Sequence, residues 1–271
     1  MKFTIALAQL ESALGEKRRN MDAAAALIEK AAEKGAKFVC LPETFLTGYN
    51  LGILGDRMYD LAETPSGAFV GELRALAKRL GLYIIAPMSL KKNGTRILDN
   101  AALLIADDGN LMGVYNKNHV FGGADGEGAY FATDGRYPVF DTPYGRIGIL
   151  ICYDINFPEP ARIMALQGVK LIFVPCAWRV QDIDVFRLVS AARANENVFY
   201  VAAVNAWQES ENLHLFGESR ILSPRGKIIA QAAGRGTALV LGEIDLDDVD
   251  GYRREIPYLS HRNPGTYSAI C

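Results

Sequence analysis

Two stretches carry the fold: Gly35-Ala36-Lys37-Phe38-Val39-Cys40-Leu41-Pro42 and Gly168-Val169-Lys170-Leu171-Ile172-Phe173-Val174-Pro175. Each follows a helical pattern and opens on a glycine suited to stopping a helix. Each then becomes a short apolar run of the kind buried in a parallel sheet, and ends on proline. A further helical pattern and apolar run follow in both cases, Leu82–Met88 after the first and Val198–Val204 after the second. A layout used twice predicts two pseudo-equivalent halves, each with its own sheet, packed face to face.

Outward from these stretches the same rhythm continues. Phe3–Leu10 reads as a strand, Asn20–Lys34 as an alanine-rich helix stopped by Gly35, and Gly67–Leu80 as a helix ended by Gly81. Alternating strands and helices predict parallel pairing in a layered α/β core. Ala101–Ala106 and Leu111–Tyr115 flank Asp107-Asp108-Gly109-Asn110, a hairpin signal, so the sheet is expected to be mixed. No low-complexity tract or shift of composition divides the chain, and residues 1–271 are read as one domain.

The 271 residues carry 29 basic and 31 acidic side chains, a net charge of −2. That balance speaks against a nucleic-acid surface, which needs a basic face. No apolar run reaches the roughly 18 residues of a membrane span. The opening Met1–Leu10 stretch is too short for a secretory leader and runs straight into Glu11. Cys40, Cys152, Cys176 and Cys271 lack CxxC spacing and are too few for a disulfide framework, which fits reduced thiols and a cytoplasmic location.

Three reactive side chains fall at strand ends. Gly145-Arg146-Ile147-Gly148-Ile149-Leu150-Ile151-Cys152 reads as a buried strand with Cys152 last, and Phe157-Pro158-Glu159-Pro160 then opens a helix. A cysteine at a strand-to-helix turn projects where ligands bind in open α/β folds. A nearby helix N-terminus favours its thiolate, although structural burial is the ordinary fate of a free cysteine. Glu43 follows Pro42 at the end of Phe38–Leu41; if desolvated, its carboxyl would titrate closer to neutrality and could shuttle protons. Lys117 follows Leu111–Asn116 and could stabilise a thiolate or an oxyanion. Singly, Glu43 and Lys117 read as surface charges; together with Cys152 they form the pattern of a composite active site.

The histidines offer no rival. His119, His214 and His261 are widely spaced and lack metal-ligand spacing, and His119 is read as structural. Cys176 follows Pro175 as Glu43 follows Pro42, so it is the competing thiol. Its neighbours Ala177 and Trp178 make an apolar setting that keeps a thiol protonated.

At these residues the chain resembles the nitrilase, or carbon–nitrogen hydrolase, superfamily. The resemblance rests on Pro42-Glu43, Lys117-Asn118-His119, Cys152-Tyr153-Asp154 with Phe157-Pro158-Glu159, Pro175-Cys176-Ala177-Trp178, Arg193–Asn197, Gly217-Glu218-Ser219 and Gly242–Leu246, and covers essentially the whole chain. It implies a four-layer αββα sandwich that assembles into a homodimer or higher homo-oligomer. It also implies Cys152 as nucleophile, Glu43 as general base and Lys117 as oxyanion stabiliser, with Glu127 as the second glutamate many members carry. Tyr153 through its backbone N–H, Trp178 and Asn156 are expected at the substrate. Arg193 and Glu196 read as an i,i+3 structural pair.

The implied reaction is hydrolysis of a small amide to acid and ammonia through a thioester, with neither metal nor organic cofactor. A nitrilase or N-carbamoyl amidohydrolase is the alternative within the superfamily, and a non-catalytic binding or scaffold protein the alternative outside it. Asn156 departs from the pattern, because many relatives carry arginine two residues after the aspartate. If that arginine meets an acidic substrate group in relatives, its loss weakens the case for a dicarboxylic amide; the other reading is that position 156 never touches the substrate.

Overall fold

The structure is a computed structural model and describes residues 1–92, 94–123 and 126–270; Cys271 lies outside them. The first half runs β1 (Lys2–Gln9), α1 (Lys17–Glu33), β2 (Ala36–Cys40), the short helices α2 (Leu51–Leu54) and α3 (Arg57–Leu61), α4 (Ala68–Leu80), β3 (Tyr83–Lys91), β4 (Leu98–Ile105), β5 (Leu111–Asn116) and β6 (Phe131–Ala132). The second runs β7 (Val139–Thr142), β8 (Gly145–Ile149), α5 (Pro158–Leu166), β9 (Leu171–Cys176), α6 (Ile183–Asn197), β10 (Tyr200–Asn205), the hairpin β11 (Trp207–Ser210) and β12 (Leu213–Phe216), β13 (Arg220–Leu222) and β14 (Ile228–Gln231). β15 (Ala238–Asp245) then returns to the first sheet and α7 (Leu246–Glu255) follows it.

Among the described residues the two main sheets have the orders β15-β1-β2-β3-β4-β5 and β7-β8-β9-β10-β13-β14. Their strand directions agree position by position. An antiparallel edge strand leads, three parallel strands follow, and two antiparallel strands close each sheet. The repeated stretches 35–42 and 168–175 supply β2 and β9, the middle parallel strand of each sheet. The two-halves reading therefore has its physical counterpart in topology.

Alternation within β2 shows how the layers are built. Phe38 and Cys40 point into the core between the sheets, where Phe38 meets Phe173 of the second sheet at a ring separation of 5.7 Å. Val39 and Leu41 point the other way, into a second core with Leu27 and Ile28 of α1 and Leu73 and Ala77 of α4. A strand presents successive side chains to opposite faces, so the four residues Phe38–Leu41 serve two layers. On the other side, Phe186 and Ala194 of α6 and Met164 of α5 cover the second sheet. The result is the expected αββα sandwich.

Helix ends follow local chemistry. α4 stops at Gly81, whose left-handed φ of 64° lets its N–H return to the Ala77 carbonyl. α5 begins with Pro158 in its first turn, as expected. α1 differs, starting at Lys17 rather than Asn20. Asn20 lies inside the helix because its side chain ties the Ala13 and Leu46 carbonyls to it.

Candidate active site

Glu43, Lys117 and Cys152 come together at one end of the sandwich. β2 extends past Cys40 through a bond from Leu41 N to Ile85 O at 3.0 Å, and the chain then turns sharply at Thr44, a left-handed residue with φ of 46°. That turn leaves Glu43 pointing inward with 1 % of its surface exposed. Lys117 follows β5 and is held beside β4 by its own N–H on the Asn100 carbonyl at 2.9 Å. The Asn100 side chain completes the link, donating Nδ2 to Glu43 Oε1 at 2.8 Å.

The lysine ammonium is buried between two carboxylates. Its Nζ donates to Glu43 Oε1 and to Glu127 Oε1, both at 2.8 Å. Glu127 is in turn held by Phe121 N on Oε2 at 2.6 Å and by the Tyr49 hydroxyl on Oε1 at 3.1 Å. Glu127 thus lies directly behind Lys117. Burial alone would lower the Lys117 pKa, but the Glu127 and Glu43 charges hold it well above the ordinary lysine value. Burial raises the Glu43 pKa above the usual carboxylate value, against the opposing pull of Lys117. Its Oε2 is buried and has no hydrogen-bond partner.

The turn that carries Cys152 departs from the sequence-based expectation. β8 ends at Ile149, and Cys152 opens a 3-10 turn, Cys152–Asn156, instead of closing the strand. The physical reason is Asp154. Its buried carboxylate takes the Ile151 N–H at 3.0 Å, diverting it from the strand ladder, and also accepts from Tyr115 OH at 2.7 Å and His119 N at 2.9 Å. His119 Nδ1 lies 2.8 Å from the same carboxylate, and its ring stacks on Phe157 at 4.0 Å. The structural reading of His119 fits this role. From the other side Arg193 donates to the Ile155 and Asn156 carbonyls at 3.0 and 2.7 Å and to Glu196 at 3.0 Å. Cys152 itself has φ of 50°, a conformation costing a non-glycine residue roughly 1–2 kcal/mol, which these ties sustain.

The surroundings of Cys152 oppose the thiolate that the α5 N-terminus and Lys117 are expected to favour. Burial pushes the Cys152 thiol well above its ordinary value, reinforced by a hydrogen bond with Cys176 and by the Glu43 charge, with Lys117 opposing. A 3-10 turn, Cys152–Asn156, lies in sequence between Cys152 and the start of α5 at Pro158. Cys176 is fully buried and donates to the Val174 carbonyl at 3.2 Å.

Cys152 lines a cavity of about 130 Å³. Tyr153, Asn156 and Trp178 line it too, together with Tyr49, Phe121 and Arg179, which sequence reasoning did not single out. Glu43, Lys117 and Glu127 are buried and are not among its lining residues. Asp154 and Asn100 were likewise missed, although an acid so close to an apolar run has to be paired when buried. Among the described residues no group of three or more His, Cys, Asp or Glu side chains is disposed to hold a metal ion.

Asp154→Ala is expected to destabilise the protein by about 3 kcal/mol or more, because several buried donors lose one acceptor at once. Denaturant unfolding checks this. Activity should fall as well, since the Ile151 N–H would be free to rejoin the sheet; unchanged stability would refute the role given to Asp154.

A double α/β sandwich that gathers an acid, an ammonium and a thiol at its strand ends has the architecture of a carbon–nitrogen bond hydrolase. The chain belongs to the carbon–nitrogen hydrolase family, whose model matches residues 4–254, and is an enzyme of amidase type acting on non-peptide C–N bonds. It is 30% identical to a probable nitrilase of Schizosaccharomyces pombe, over 100% of this chain and 99% of that protein. It is 32% identical to an omega-amidase of Xenopus tropicalis, over 98% and 97% respectively. Among solved structures, a nitrilase-superfamily member from Saccharomyces cerevisiae superposes with a TM-score of 0.86 at 27% identity, over 94% of each chain. No helix among the described residues is long and apolar enough to cross a membrane.

Proposed function

We propose that this enzyme hydrolyses a small carboxylic amide to acid and ammonia through a thioester on Cys152, with Glu43 as general base. The observation that carries this reading is the unpartnered Oε2 of Glu43. One carboxylate oxygen is anchored by Lys117 and Asn100; the other is left free, with the neutral Cys152 thiol as its proton source. A thiol with a raised pKa needs such a base, and a carboxylate with a raised pKa is a better one.

As Sγ attacks the amide carbon, its proton moves to Glu43 Oε2. The oxyanion is stabilised by the third N–H of Lys117, whose other two serve Glu43 and Glu127. The Tyr153 N–H, in the leading turn of a 3-10 segment, is the second donor. Glu43 then protonates the leaving nitrogen, the C–N bond breaks and ammonia departs. Water, deprotonated by Glu43, attacks the thioester carbonyl; the acid leaves and Cys152 recovers its proton. Glu127 holds Lys117 in place and balances its charge. The omega-amidase relatives and a Bacillus subtilis 2-oxoglutaramate amidase, 31% identical over 95% of this chain, support an amide as the substrate.

The test is to add hydroxylamine during turnover of a small amide and to map Cys152 by mass spectrometry after a rapid quench. Hydroxamate formation and an acyl group on the Cys152 peptide are expected. Ammonia release with neither product would rule out the thioester.

We also propose that the chain assembles as a homodimer through α5 and α6. Ile163 and Leu166 on α5 and Leu188 on the adjoining α6 are exposed, Leu188 to 69%. Apolar groups on neighbouring helices are the kind of patch that a second copy covers. Leu188→Glu is expected to convert dimers to monomers in light scattering coupled to gel filtration. A wild-type protein that is already monomeric at micromolar concentration would exclude this assembly.

A further inference from the structure

We infer that the acyl group of the substrate is uncharged, and that the Arg179–Asp182 pair at the cavity sets this preference. The inference rests on the amidase reading above and deepens it. A dicarboxylic monoamide would bring a carboxylate into the cavity beyond Cys152, and a carboxylate that leaves water needs an uncompensated cation or several donors to receive it. Among the described residues lining the cavity, the one cation is Arg179. Its Nε and Nη2 both donate to Asp182 Oδ2, at 2.8 and 2.6 Å. The guanidinium also lies over the Phe121 ring, 4.9 Å from its centroid. The charge that would attract an anion is therefore already met within the same short segment.

The buried charges near Cys152 supply no spare cation for a substrate carboxylate either. Glu43 and Glu127 place two formal negative charges against the one positive charge of Lys117. The walls add aromatic surface from Tyr49, Phe121, Tyr153 and Trp178 rather than further cations. Position 156, another place from which a cation could reach the cavity, is an asparagine. An uncharged alkyl or aromatic acyl group meets these walls without a desolvation penalty.

The arrangement is testable because Asp182 and Arg179 can be changed separately. Succinamate and 4-methylpentanamide have nearly the same shape and differ in a terminal carboxylate against an isopropyl group. Ammonia release by the purified full chain gives kcat/KM for each. The wild type is expected to prefer 4-methylpentanamide by roughly tenfold or more. Asp182→Asn, which frees the Arg179 charge, is expected to move the ratio toward succinamate by roughly tenfold to a hundredfold. Arg179→Gln, which leaves Asp182 unpaired, should move it the other way. A wild type that prefers succinamate overturns the inference, and an Asp182→Asn ratio equal to that of the wild type overturns the role of the pair. If neither amide releases ammonia or acylates Cys152, the amidase reading itself falls and takes this inference with it.

Discussion

Cys152→Ala is expected to abolish amide hydrolysis, lowering the rate by roughly 10⁴-fold or more, while the fold stays within about 1 kcal/mol of wild type. The two halves of that expectation have separate causes. Activity goes because no other thiol among the described residues is placed to act; Cys176 is fully buried and Cys40 lies inside β2. Stability holds because alanine keeps the Cβ, so the left-handed backbone at position 152 costs the same in both proteins. The hydrogen bonds that fix the turn come from Asp154 and Arg193, and none involves the sulfur. Cys152→Gly sharpens the test: it should be equally inactive yet free of the conformational penalty at φ of 50°. Ammonia release and thermal unfolding measure both effects. Retention of more than about a thousandth of the wild-type rate by Cys152→Ala would show that Cys152 is not the nucleophile.

The parts of this molecule that were legible in the amino-acid order are those set by local pattern. Apolar runs, stop glycines and the Asp107–Asn110 turn mark strands and helices because each depends on neighbours within a few residues. The two-sheet architecture was legible through repetition, since 35–42 and 168–175 use the same grammar for β2 and β9. Glu43 and Lys117 were legible as candidates just beyond strand ends. What stayed hidden is what links distant segments. Asn100 meets Glu43 across 57 positions and Arg193 meets Ile155 across 38, and no local signal announces such pairs. Cys152 shows the same limit within one motif. The β-branched run through Ile151 reads as strand to its end, but Asp154 takes the Ile151 N–H and bends the chain first. The forces on the Cys152 thiol were only partly legible for a related reason, because a helix start is visible in sequence whereas burial and the influence of Cys176 are tertiary.

Glu43→Gln should separate catalysis from stability more sharply than any other single change. The glutamine amide is nearly isosteric, so its Oε1 can keep the bonds from Lys117 and Asn100, with NH₂ where the free Oε2 lay. That nitrogen cannot accept the Cys152 proton. With burial and Cys176 pushing the thiol pKa up, kcat/KM is expected to fall by roughly 10³–10⁴-fold. Stability should move in the opposite direction. Burial raises the Glu43 pKa above its usual value of 4.5, so in the window above that value the folded state binds more proton than the unfolded chain. Folding stability contributed by this group therefore declines as pH rises through the window, and above the folded pKa the full cost of the buried charge is present. Glutamine carries no such cost, and Lys117 retains Glu127 as its counter-charge. The variant and the wild type should unfold alike below the usual glutamate pKa, with the variant becoming the more stable as pH rises toward neutrality. In the wild type the acid limb of kcat/KM should lie above 4.5 for the same reason, since the base must be ionised to work. Melting temperatures of both proteins across pH 4 to 8, beside the wild-type rate profile, decide the matter. A variant that is less stable at every pH would mean that the Glu43 charge holds the site together, and a wild-type acid limb at or below the ordinary glutamate value would remove Glu43 as the base.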